Sequence, residues 1–243
     1  MTMNNKKIKI CVFTGGRAEY GILKPLLEEI KKEKKLSLKL LVSGMHLSSE
    51  FGLTYKKIEE DGFKCDEKVE MVMSSDTTEG ICKSLGIGLI GYGEALKRIN
   101  PDWLVILGDR YESAAVAIAA TISRIPIIHI QGGEVTRGAF DDSFRHSITK
   151  MSSLHFAYSD IYKKRIIQMG ENPMTVFNYG ALNLDAMSQL KTLSKKSLYN
   201  EIGLKLSSDV ALVTFHPVTL EKNTSENQFR SLLFTLKNFK NLH

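Results

Sequence analysis

Short apolar, β-rich runs alternate with longer amphipathic ones along most of this chain, and no other feature constrains the fold as much. Residues Ile8–Thr14, Leu36–Ser43, Trp103–Leu107, 126–130, 155–158 and 175–179 read as strands. Helix patterns lie between them at 20–34, 53–61, 76–99, 111–123, 142–150 and 160–169. The 76–99 pattern is loosened by Gly80, Gly86, Gly88, Gly91 and Gly93. A helix between two strands brings the chain back in the same direction, so such strands pair in parallel. The expected fold class is α/β: a doubly wound, Rossmann-like parallel sheet with helices on both faces.

The character changes after about residue 185. Residues 187–208 are rich in Lys, Ser and Leu and show no clear strand; 210–215 reads as a new strand and 225–239 as a helix. One strand and one helix do not complete a domain. The expected division is therefore a Rossmann-like catalytic half over 1–185, then a linker and the start of a truncated second domain over 186–243. No internal repeat or low-complexity tract interrupts this plan.

Composition narrows the class. The 243 residues are 43% hydrophobic and 25% charged, ordinary for a globular protein. No apolar run reaches the roughly 18 residues that cross a bilayer. The apolar part of the N-terminus is short and reads as a first strand, not a signal peptide. Cys11, Cys65 and Cys82 form no CxxC pair and no metal-spaced cluster, which fits a reduced, cytoplasmic setting with Cys11 as a buried thiol. The net charge is +6, but the lysines are scattered. The densest run, Lys31, Lys32, Lys34 and Lys35, ends the first helix pattern, where cations suit the helix dipole. An anionic small substrate accounts for selected arginines better than nucleic acid does.

Parallel strands bring all their carboxyl ends to one edge of the sheet, and ligands bind there. Arg17, Asp109, Glu134 and His216 each follow a predicted strand. Each has a plainer alternative. Gly15-Gly16-Arg17 either lets backbone approach an anion or is a simple turn with a surface arginine. Asp109 either pairs internally with Arg110, caps the 111–123 helix or serves the site. Asp141 or Asp142 can cap the next helix, on which Asp142, Arg145 and His146 share a face as a site or as a local salt-bridge set. Gly132-Gly133 implies positive φ or close backbone approach. His129, inside a strand, reads as a hydrogen-bonded core residue. The Gly15-Gly16-Arg17 turn lacks GxGxxG and P-loop spacing, and the chain has no HxxxH pair or GxSxG elbow, so neither a metal nor a nucleophilic serine is expected.

In order, the segments FTGGRAEYGILKPLL (13–27), LGDR (107–110), HIQGGE (129–134), DDSFRHSITKMSSLHF (141–156), YGALNLDAM (179–187) and TFHPVTLE (214–221) resemble the UDP-N-acetylglucosamine 2-epimerase family. The HPVTLE form and the DDSxRHxITK helix point to its hydrolysing branch, which serves sialic and legionaminic acid synthesis. The resemblance implies a glycosyltransferase-B-like architecture of two Rossmann-like domains, no metal or nicotinamide cofactor, a UDP-sugar substrate and a homo-oligomer. It implies a catalytic set of Asp109, Glu134, Asp141, Asp142 and His216, with Arg17, Gln131, Arg145 and His146 binding substrate. Asp109 and Asp141 fall on acidic positions implicated in catalysis, and Arg17 and His216 fall near the nucleotide phosphates. Gln131 stands where some members carry glutamate, so either Glu134 takes over that work or the acid–base scheme differs. Family members run well beyond 243 residues, so the chain is expected to be a fragment, inactive on its own. The alternatives are a glycosyltransferase of the same architecture and a non-catalytic, partner-binding fragment.

Overall fold

The computed structural model describes residues 6–75, 77–188, 192–203, 210–218, 220–221 and 224–239. Seven strands, β1 (Ile8–Thr14), β2 (Leu36–Ser43), β3 (Glu67–Val69), β4 (Trp103–Leu107), β5 (Ile127–Ile130), β6 (Leu154–Ala157) and β7 (Val176–Asn178), form one sheet ordered β3-β2-β1-β4-β5-β6-β7. Every neighbouring pair is parallel. β1 is the pivot: Ile10 is in register with Leu38 of β2 on one side and Trp103 of β4 on the other. The chain winds outward to β3, crosses back, and winds outward again from β4. The loops after β1 and β4 therefore diverge and open a crevice at the switch point.

Among the described residues of this unit are seven α-helices: α1 (Arg17–Lys32), α2 (Tyr55–Glu60), α3 (Thr78–Ile99), α4 (Tyr111–Ile122), α5 (Asp141–Met151), α6 (Asp160–Gln168) and α7 (Leu182–Ser188). Successive side chains of a strand point to opposite faces. Ile10 and Val12 accordingly pack with Tyr20, Leu23, Leu27 and Ile30 of α1, while Cys11 and Phe13 pack with Tyr92 and Leu96 of α3 and the alanines of α4. Because both faces are covered, β1 is apolar without alternation, as strands of parallel sheets are. Cys11 is fully buried, as expected, and burial pushes its thiol pKa well up.

The glycines of α3 do not loosen it. The helix runs unbroken for 22 residues. A β-carbon on Gly91 would stand 2.6 Å from Val69 Cγ1, and one on Gly88 would stand 2.9 Å from Met71 Cε. Gly91 lets α3 seat against the edge strand β3, and Gly88 makes room for Met71 just beyond it. The sequence reading missed β3, whose Glu-Lys-Val is too short and too polar to announce a strand, and also α7.

The chain divides into two compact units, and the sheet belongs to the first, residues 1–135 and 141–188. The second comprises 136–140 and 189–243; its described residues include α8 (Lys195–Ile202) and α9 (Ser225–Leu236). The strand expected at 210–215 is not formed: 210–218 carries no regular secondary structure. A strand needs a partner, and the described residues of this unit offer no other. No helix among the described residues is long and apolar enough to cross a membrane.

Candidate active site at the carboxyl edge of the sheet

At the switch point, Gly16 begins α1 and Arg17, exposed, is its first residue. The Gly15 N–H does not wait for an outside anion. It donates to Glu19 Oε2 at 2.7 Å, so α1's own carboxylate reaches back over the turn. Glu19 Oε1 is buried without a hydrogen-bond partner and lies 3.9 Å from Arg110 Nε. Burial, reinforced by nearby Glu112 and opposed by Gly15 and Arg110, pushes the Glu19 carboxyl up to about 7. Behind this loop the fully buried His46 holds Thr14 Oγ1 at 3.0 Å and Thr54 Oγ1 at 2.7 Å.

The alternatives for Asp109 resolve differently from both plain readings. Arg110, not Asp109, occupies the N-cap of α4. Arg110 gives its guanidinium to the fully buried Glu112, at 2.8 and 3.1 Å, because Glu112 lies in the first turn of the same helix. Asp109 is thereby left to the other side of its loop, where it pairs with Arg145 of α5. Arg145 also pairs with Asp142, three residues earlier on α5. Arg145 is buried, and the two carboxylates are each about a quarter exposed (24%).

Glu134, in the turn after β5, completes the cluster. Its carboxyl is held above the usual range, chiefly by burial, with Asp109 and Asp142 adding to the effect and Arg145 and Tyr158 opposing it. Glu134 Oε1 and His146 Nδ1 are buried and find no hydrogen-bond partner among the described residues. Asp141 opens α5 as its first residue, in a turn where acids suit the helix dipole. Its carboxyl is also raised, by burial and then by Asp109. The His146 pKa is lowered, mainly by burial.

The glycine pair behaves as the sequence suggested at Gly133, whose φ is positive, and Gln131 adds a positive φ that the sequence did not mark. Gln131 has φ +65° and Gly133 φ +78°. A β-carbon on Gly133 would meet the Tyr162 carbonyl oxygen at 2.6 Å. Non-glycine residues adopt positive φ only uncommonly. Gln131 itself lines a largely apolar cavity of about 360 Å³ with Ile130, Phe156 and Tyr158.

His129 is a core residue, as its strand position implied. It is fully buried, its Nε2 donates to the Gly108 carbonyl at 2.8 Å, and Nδ1 stands 3.1 Å from Thr149 Oγ1. Burial lowers its pKa to about 4. His216 lies in the second unit, exposed, within the irregular segment 210–218. The first unit thus gathers Asp109, Glu134, Asp142 and Arg145, with Asp141 and His146 alongside. Sequence reasoning missed Glu19 and Glu112. The signal for Glu112 was a lone acid opening the Ala-rich helix; for Glu19, an acid three residues past the glycine that begins α1.

Fold and site together define a doubly wound α/β protein whose switch-point edge gathers carboxyl groups about one buried arginine. The chain belongs to the UDP-N-acetylglucosamine 2-epimerase family, whose model matches residues 28–243. It is 43% identical to a GDP/UDP-N,N'-diacetylbacillosamine 2-epimerase (hydrolyzing) of Campylobacter jejuni, across 97% of this chain and 61% of that protein. It is 40% identical to the polysialic acid biosynthesis protein P7 of Escherichia coli, across 97% of this chain and 60% of that protein. Among solved structures, the UDP-GlcNAc 2-epimerase of Neisseria meningitidis bound to UDP-GlcNAc superposes with a TM-score of 0.82 at 19% identity, over 97% of this chain and 66% of that one. That likeness establishes the fold. The chain spans about 60% of the length of the curated relatives it matches.

Proposed function

We propose that the complete protein is a hydrolysing UDP-HexNAc 2-epimerase that releases UDP and the 2-epimeric free sugar. The observation carrying this reading is the Asp109–Arg145–Asp142 ion-pair set, with the protonatable Glu134 beside it, at the switch-point edge. The names of the relatives agree with it. The reaction removes the proton from C2 as the C1–O bond breaks and its electron pair leaves with UDP, giving a 2-acetamidoglucal. Water then adds its oxygen to C1, and a proton returns to C2 on the opposite face.

Such chemistry needs a base and an acid fixed on two sides of one carbon. In this reading the ion-paired Asp109 takes the C2 proton, and Glu134, whose raised pKa suits a donor, returns one. Glu134 thus does the acid–base work that Gln131, which cannot ionise, leaves undone. Arg145 and Asp142 fix Asp109, while Asp141 and His146 shape the wall beside it. Arg17, exposed at the start of α1, meets the diphosphate with its side chain, since Glu19 already occupies the Gly15 N–H. His216 is read as a phosphate contact because the family resemblance implies it, and no cofactor is needed. The product serves nonulosonic acid synthesis in the cytoplasm, and the enzyme works as a homo-oligomer.

The test is to incubate the complete gene product with UDP-GlcNAc and with UDP-2,4-diacetamido-2,4,6-trideoxyhexose. UDP and a free 2-epimeric sugar without any acceptor are expected. UDP release only when an acceptor is supplied, or from neither sugar, would overturn the reading.

A further inference from the structure

A second cavity of about 370 Å³ opens on the other side of the β4 loop from the carboxylate cluster. Its walls come from the turns after β2 and β3, from the first turns of α3, and from Arg110 and Tyr111 after β4. In the strand order β3-β2-β1-β4-β5 it therefore sits on the β2–β3 side of Asp109, while Glu134 and α5 sit on the β5 side. Its lining is mixed. Phe51, Met73 and Ile81 supply apolar surface, and Ser74, Ser75 and Ser84 supply hydroxyls. Phe51 and Met73 remain 44% and 38% exposed, so this apolar surface is still open to burial by a ligand.

Charge excludes the diphosphate from this place. Arg110 is the one cation among the lining residues, and both oxygens of Glu112 already hold it, while Glu50 adds a negative charge to the rim. An uncharged group with both a methyl and an amide matches apolar walls interleaved with hydroxyls.

We infer, building on the functional reading above, that this pocket receives the C4 and C5 substituents of the hexosamine and prefers an acetamido group and a methyl to a hydroxyl and a hydroxymethyl. With C1 and C2 held against Asp109 and Glu134, the far edge of the ring carries C4 and C5 past the β4 loop toward Phe51, Met73 and Ile81. The pocket makes the choice between UDP-GlcNAc and its 4-acetamido, 6-deoxy counterpart, and these residues set specificity without touching the reacting atoms.

The experiment compares kcat/KM of the complete gene product on the two UDP-sugars, for wild type, Phe51→Ala and Ile81→Trp, with thermal melting to confirm that each variant is folded. Wild type should favour the diacetamido sugar by at least about tenfold, the scale on which an apolar pocket discriminates. Phe51→Ala removes one wall from an exposed position, and Ile81→Trp fills the space. Phe51→Ala should cut the diacetamido rate and leave UDP-GlcNAc within about threefold, while Ile81→Trp should cost the bulkier diacetamido sugar at least about tenfold more than UDP-GlcNAc, so each lowers the preference. Equal losses on both sugars, an unchanged ratio, or a wild-type preference for UDP-GlcNAc would overturn the inference while leaving the epimerase reading intact. UDP release from neither sugar would instead sink the functional reading beneath it.

Discussion

Arg145 of α5 is shared by two carboxylates, Asp109 at the end of β4 and Asp142 on its own helix. The arginine is buried, and its fork can serve two acids at once. A lysine offers one point charge and cannot. Arg145→Lys should lower turnover of the complete enzyme by at least about 100-fold, as expected when a catalytic acid or base loses its placement. Arg145→Met should also destabilise the fold by about 3 kcal/mol, the lower end for breaking a buried ion pair, because two carboxylates lose their partner. Steady-state kinetics and denaturant unfolding check the two effects separately. Unchanged kinetics in Arg145→Lys would make the ion-pair set purely structural.

Asp109→Asn and Glu134→Gln should each reduce turnover by at least about 100-fold, since neither amide can take or give the proton. Asp141→Asn should cost less than either, since Asp141 shapes the wall and carries no proton in this reading. The geometry gives Asp141 a smaller claim, because Asp142 is the acid that Arg145 holds. A single assay of UDP release ranks all three.

Glu19 should make stability depend on pH in an unusual direction. Its carboxyl is raised from 4.5 to about 7, so the folded protein keeps a proton that the unfolded chain releases. Its contribution is full below the lower value and is lost as pH rises through the upper one. Glu19→Gln removes that loss. The variant should melt above wild type at pH 8, and the gain should vanish by about pH 5. Melting curves across this range decide it, and a constant difference between the two proteins would remove Glu19 as the cause.

His129 behaves in the opposite sense. Its pKa falls from 6.5 to about 4, so the unfolded chain takes up a proton that the buried ring refuses. Stability from this residue is present above the higher value and is lost as pH falls toward the lower. His129→Gln should flatten acid destabilisation across that window. It should cost about 1–3 kcal/mol at pH 7, because the Gly108 carbonyl and Thr149 lose a well-placed partner. Turnover should stay within a few-fold of wild type. A collapse of kcat with unchanged stability would make His129 a catalyst after all.

The sequence alone determined the sheet. Apolar runs such as 10–13 and 104–107 cannot lie in water, and the helical stretches between them force parallel pairing, so six of the seven strands were legible from periodicity. Asp142 and Arg145 were legible as neighbours because helical spacing is local. β3 was not legible, since its three residues hold their place partly through Gly91 of a distant helix. The segment 210–215 shows the converse: a strand-like pattern forms no strand without a partner. The pairings at the site were decided by tertiary structure alone. Asp109 has Arg110 beside it in sequence, yet Glu112 captures that arginine and Asp109 finds Arg145 36 residues away. Likewise, the Gly15 turn looked open to an outside anion until folding brought the Glu19 carboxylate back over it. Charges choose partners by distance and desolvation in three dimensions, and a one-dimensional pattern carries only the candidates.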